Sequence, residues 1–90
     1  MEHKIKLNLE FCDAVLSGEK CFEIRENDRG YQKGDTVRFE PYSRLHPYPP
    51  HPIQDKTFCI TYVINGWGLK NGFVAFGIKE VALAGGDGDE

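Results

Sequence analysis

The sequence predicts an α+β fold that is mostly β, a small mixed barrel of about five strands with one short helix after the first strand. Three observations point there. Ninety residues that are 40% hydrophobic suffice for one core and not two, since domains usually hold about 100 to 150 residues. Five segments alternate apolar and polar side chains with the two-residue period of a half-buried strand, and one stretch alone has helical spacing. The connections are too short to carry repeated crossover helices, which suits a small barrel better than a layered parallel fold.

The elements follow in order. His3 to Leu7 alternates with Ile5 and Leu7 on one side, the first strand. Asn8 is placed to cap a helix from Leu9 to Ser17, in which Phe11, Val15 and Leu16 share a face and Gly18 supplies the stop. Cys21 to Glu26 alternates again, which reads as Phe22 and Ile24 inward with Cys21, Glu23 and Arg25 on the opposite face. Asn27, Asp28 and Gly30 form a turn and Gly34-Asp35 another, before a strand from Thr36 to Glu40 with Val37 and Phe39 inward.

Residues 41–56 carry all five prolines, interleaved with Tyr42, His46, Tyr48 and His51, and read as a long exposed loop without a regular element. Phe58 to Ile64 restores alternation, with Phe58, Ile60, Tyr62 and Ile64 inward. Gly66-Trp67-Gly68 breaks it, and Phe73 to Val81 supplies a last strand that pairs with it as a hairpin. The domain is expected to span 1–82, and the closing 83–90, ending Gly-Gly-Asp-Gly-Asp-Glu, reads as a disordered acidic tail.

Charge and composition exclude several classes. The formal net charge is -3, but Asp87, Asp89 and Glu90 lie in the tail; without them 11 acidic side chains face 11 basic ones. That balance argues against non-specific coating of nucleic acid, which needs many cations neutralising phosphates at once. No apolar run approaches the roughly 20 residues of a membrane span, and Met1 to Leu9 lacks the core of a secretory signal, so a cytoplasmic protein with no membrane partner is expected. Cys12, Cys21 and Cys59 are odd in number and far apart, hence expected as reduced thiols. His46 and His51 have no Cys or acidic partner at ligand spacing, so neither a metal site nor a cofactor is expected, and a monomer is favoured.

Gly18-Glu19-Lys20-Cys21-Phe22-Glu23-Ile24-Arg25 resembles the GxKxxExR-type signature of ASCH domains, and it stands after the first helix as in that superfamily. More narrowly, His3-Lys4-Ile5-Lys6, the run from Phe22 to Arg29 (FEIRENDR), and Gly34-Asp35 are similar to a short bacterial and phage branch long catalogued as a domain of unknown function. The resemblance covers residues 3 to 81. It implies a PUA-like barrel with a cleft beside the helix, into which Lys20, Glu23 and Arg25 project, and an RNA or a modified nucleoside as partner. One ASCH branch is an amidohydrolase that removes the acetyl group of N4-acetylcytidine with the signature Lys, a Thr and a later Glu. Lys20 takes the place of that Lys, but Glu23 stands where the Thr would be, and the stretch between the last two strands is too short for that branch's helical segment.

To act as nucleophile or base, Lys20 must shed its proton near neutrality, which needs desolvation or neighbouring cations. Its neighbours Glu19 and Glu23 are carboxylates instead, so the ammonium is the expected form. A charged Lys20 beside Glu23 and Arg25 suits a phosphate or a base edge, with Arg offering a planar fork and Glu accepting amino hydrogens. The plainer alternative is a surface ion pair worth about 0 to 1 kcal/mol. Asn27, Asp28 and Arg29 either extend the site or only form an Asx-stabilised turn. Tyr42, Tyr48 and Trp67 either stack on bases or lid a core, and His3 reads as a hydrogen-bonded structural histidine that could lie across from the signature strand.

Three functions stay open. The first is an RNA- or modified-nucleoside-binding module using Lys20, Glu23, Arg25, Asn27 and Arg29. The second is a small amidohydrolase on an acylated, cytidine-like nucleobase, with Lys20 and Glu23 catalytic and Thr61 as the available hydroxyl. The third is a protein-interaction module of a mobile element.

Overall fold

A computed structural model describes residues 1–82; the expected tail, 83–90, lies outside the described residues. The chain runs β1 (Glu2–Asn8), α1 (Leu9–Ser17), β2 (Phe22–Glu26), β3 (Thr36–Tyr42), a short 3-10 helix (Pro52–Asp55), β4 (Thr57–Asn65) and β5 (Phe73–Val81). The strands form one mixed sheet in the order β1-β3-β4-β5-β2. β1 and β3 are parallel, Glu2 opposite Thr36 through Asn8 opposite Tyr42, and the other pairs are antiparallel. The fold is therefore mostly β, with one short α-helix directly after the first strand.

Alternation explains the core. His3, Ile5 and Leu7 of β1, Val37 and Phe39 of β3, Phe58 and Ile60 of β4, and Val74, Phe76 and Ile78 of β5 all turn inward. Phe39 and Phe58 meet edge to face with ring centroids 5.4 Å apart. The helix closes the cluster with Val15 and Leu16 of the expected stripe, but Cys12 takes the place expected for Phe11, which remains 38% exposed. Positions 11 and 12 lie about 100° apart on a helix, and the chain leaves β1 with Cys12 facing the sheet. For the same reason Asn8 caps nothing: it is the last strand residue, its side chain makes no cap hydrogen bond, and the helix starts without a connecting loop.

Two further expectations are corrected. The proline-rich segment is not featureless, because β3 continues through Pro41 to Tyr42 and Pro41 is fully buried. Its β4 pairing stops at Val37, which leaves room for a residue without an N–H. Pro52 then opens the 3-10 helix, where the N–H that proline lacks would have no partner within the helix. The His51 ring accepts a hydrogen bond from the Ile53 N–H at 3.0 Å, the Gln54 side chain accepts one from the His51 N–H at 3.2 Å, and Ile53 plugs the core with no exposed surface.

In β4 a bulge between Ile60 and Tyr62 resets the alternation, so Tyr62 faces solvent and is 65% exposed instead of inward. Opposite the bulge stands Gly77, where an added Cβ would lie 2.5 Å from Thr61 Oγ1. No helix among the described residues is long and apolar enough to cross a membrane.

β1 and β2 are the two edges of the sheet, and no backbone ladder joins them. The sheet curls until both edges line one cleft of about 810 Å³, and side chains, not strand pairing, bridge the seam.

Candidate functional site

The seam is polar because β2 is turned the opposite way from the sequence expectation. Glu23 is buried and Arg25 half-buried, whereas Phe22 and Ile24 are 47% and 54% exposed. Alternation separates two faces of a strand but does not say which one the fold encloses, and here cations make it possible to enclose the polar one. Lys20 Nζ donates to Glu23 Oε2 at 2.5 Å and Arg25 Nε donates to Glu23 Oε1 at 2.9 Å, so both oxygens of the buried carboxylate carry a charged donor.

Each member is placed by local structure. Gly18 ends α1 in the left-handed region at φ 86°, and the Lys20 N–H returns to the Ala14 carbonyl at 2.9 Å, which brings the lysine over the cleft. Its ammonium also donates to the Phe22 carbonyl at 2.8 Å. It sits 5.4 Å from the Phe11 ring centroid and 4.9 Å from that of Phe22, so two exposed aromatic rings flank the cation. Across the seam, Arg25 Nη2 donates to the Lys6 carbonyl, and Arg29 Nη1 donates to the Lys4 carbonyl at 3.1 Å. The two arginines thus stitch the turn and edge of β2 to the free edge of β1.

The remaining wall carries Tyr31, Lys6 and Tyr42. Lys6 Nζ lies 5.0 Å from the Tyr42 ring and 5.8 Å from that of Tyr48, and the two tyrosines meet edge to face. Burial pushes the Tyr31 hydroxyl above its ordinary pKa, opposed by the guanidiniums of Arg25 and Arg29. Burial likewise raises the Cys12 thiol, which makes it an unreactive core residue.

Lys20, Glu23, Arg25 and Arg29 therefore converge on one cleft. Asn27 does not join them: its side chain accepts from the Tyr31 N–H at 3.0 Å and its N–H donates to the Gly72 carbonyl at 2.9 Å, so it shapes the turn and faces a second pocket. Thr61 is absent from the cleft, whose hydroxyls belong to Tyr31 and Tyr42, and it occupies the β4 bulge instead. His3 is structural, but its partner is not the signature strand: Nε2 lies 2.8 Å from Asp35 Oδ2 while its ring packs on Tyr31 at 4.8 Å, because β1 pairs with β3. The His3 imidazole and the N-terminal ammonium hold the Asp35 carboxyl below the ordinary carboxylate range, against a smaller effect of burial. His51 Nε2 lies 2.8 Å from Asp13 Oδ1, and His46 is exposed.

Sequence reasoning missed Phe11, Lys6 and Tyr31. Lys6 was legible as the polar alternate of β1, on the cleft wall; Tyr31, in an irregular turn, left no periodic signal. Chemically, the cleft offers fixed cations between aromatic walls. Lys20 and Arg25 each keep N–H donors beyond those given to Glu23 and the backbone, whereas both Glu23 oxygens are already engaged.

A protein of Escherichia phage P2, an uncharacterised 12.9 kDa protein encoded in the GpA 3' region, is 46% identical over 35 residues, 39% of this chain. The match spans about a third, 32%, of the phage protein's own length. The family described as a domain of unknown function, DUF3850, matches residues 2–78, which takes in the cleft with both of its edge strands, and the chain belongs to that family.

Proposed function

We propose that the cleft binds the base and phosphate of an RNA or a modified nucleoside, and that this domain is an ASCH-type binding module. One observation carries the reading: β2 turns Glu23 and Arg25 inward and leaves Phe22 outside, so a buried carboxylate holds Lys20 and Arg25 beside exposed rings. A phosphate is recognised by such preorganised cations, and a base stacks on Phe11 or Phe22 while its edge meets the remaining N–H donors. The resemblance of the Lys20 to Arg25 string to the ASCH signature supports the same class of ligand.

Hydrolysis is the second reading, favoured by the placement of Lys20 and Glu23 together in one cleft. It is weakened by the engagement of both Glu23 oxygens and by the distance of Thr61 from the site. Amide NMR titration with cytidine, N4-acetylcytidine and short RNAs tests both. Shifts at Lys20, Glu23, Arg25 and Arg29 that vanish in Lys20→Met support binding, and acetate release from the acetylated nucleoside promotes the enzyme reading. Silence at those residues with every ligand sinks both.

A further inference from the structure

Behind the turn that carries Arg29 lies a second pocket, of about 410 Å³, formed by Asn27 and the tip of the β4–β5 hairpin. Its lining includes the polar residues Asn65, Lys70 and Asn71 and the apolar Leu69 and Phe73. The N–H of Asn27 is bonded to Gly72 at 2.9 Å, so the hairpin tip is fastened to the same turn whose other side, at Glu26, Asp28 and Arg29, walls the first cleft. The two cavities flank a single turn.

At that tip Trp67 is 90% exposed and stands at φ 52°, between Gly66 at φ 69° and Gly68 at φ 92°. The turn is closed by the Leu69 N–H on the Gly66 carbonyl at 2.9 Å, and Trp67 is the one residue of the three for which positive φ is costly. An indole held this way buries almost nothing in return, so packing does not account for it, and backbone strain of this kind concentrates where a ligand is held.

We propose that Trp67, with Lys70 and the Asn65 and Asn71 amides, forms a second nucleotide subsite, and that the ligand is therefore a single-stranded oligonucleotide and not a free nucleoside. The chemistry fits a following nucleotide: an indole face to stack on a base, an ammonium for its phosphate, and amides for its polar edge. The strand would leave the first cleft past Arg29 and cross the turn to the hairpin tip. This rests on the base-binding reading of the first cleft and specifies its ligand.

Trp67 is the sole tryptophan, so its fluorescence reports on this subsite alone. The full chain is titrated with cytidine monophosphate and with short single-stranded oligoribonucleotides, following Trp67 emission and, separately, amide shifts around Lys20. The oligonucleotide quenches Trp67, the mononucleotide shifts the Lys20 region without quenching, and Trp67→Ala weakens the oligonucleotide about tenfold or more while leaving the mononucleotide unchanged. Trp67→Phe, which keeps a stacking face, restores part of the affinity. Oligonucleotide binding that neither quenches Trp67 nor suffers in Trp67→Ala overturns the second subsite and leaves the first cleft standing. Absence of response to both ligands overturns the two together.

Discussion

Asp35 ties together three parts of the chain. Its carboxylate receives the N-terminal ammonium at 3.3 Å, the Gln32 N–H at 3.1 Å and the His3 ring at 2.8 Å. Because these partners lower its pKa on folding, it adds stability that is complete above its ordinary value of 3.8 and is lost as pH falls through the lowered folded value. Asp35→Asn is expected to cost about 1–3 kcal/mol at neutral pH. The gap from the parent narrows on acidification below the ordinary carboxylate value, read as urea midpoints across a pH series; a gap independent of pH contradicts the assignment. His51 allows a second residue-level prediction. Since Nδ1 accepts the Ile53 N–H, the neutral ring must carry its proton on Nε2 and donate it to Asp13. Long-range nitrogen–proton spectra should show the Nε2–H tautomer, and the Nδ1–H form would mean that the cap of the 3-10 helix is not as described.

At the scale of elements, the β4 bulge and Gly77 are one device. Thr61 presses its hydroxyl into the space a Cβ at Gly77 would take, and the bulge turns Tyr62 outward. Gly77→Ala should destabilise by about 1–3 kcal/mol, the usual cost of overpacking. Thr61→Ala made together with it should return most of the loss, a coupling that a double-mutant cycle of denaturation free energies detects. Strict additivity would show that the two residues do not compete. The bulge also explains why β4 was only half legible: alternation reads Phe58 and Ile60 correctly, then fails at Tyr62, because one inserted residue inverts every later side chain. The helix bounds were legible from Gly18 and the apolar spacing, as were Val15 and Leu16 on its buried face, while the choice between Phe11 and Cys12 was not, since only packing decides it.

At the scale of the whole molecule, the distinctive feature is a sheet whose two edges face each other without pairing. Unpaired edges invite another chain, and here Arg25 and Arg29 cover the Lys6 and Lys4 carbonyls. The double variant Arg25→Ala with Arg29→Ala should expose the β1 edge, and by sedimentation velocity it should run larger than the parent at matched concentration. An unchanged sedimentation coefficient would mean that the arginines serve the cleft alone.

The sequence by itself determined the mostly β class and the order of six regular elements, because period, turn chemistry and local spacing are properties of short segments; Lys20, Glu23, Arg25 and Arg29 were singled out by resemblance to a known signature, not by those patterns. Only the tertiary structure decided that Glu23 and not Phe22 faces in, that Phe11, Lys6 and Tyr31 complete the wall, that Ile53 enters the core from within a proline-rich segment, and that Asn27 faces a different pocket from Arg29. Those outcomes depend on which face of a strand the curled sheet encloses and on which distant cations meet a buried carboxylate. Both are set by contacts between segments far apart in the chain, and no local pattern encodes them.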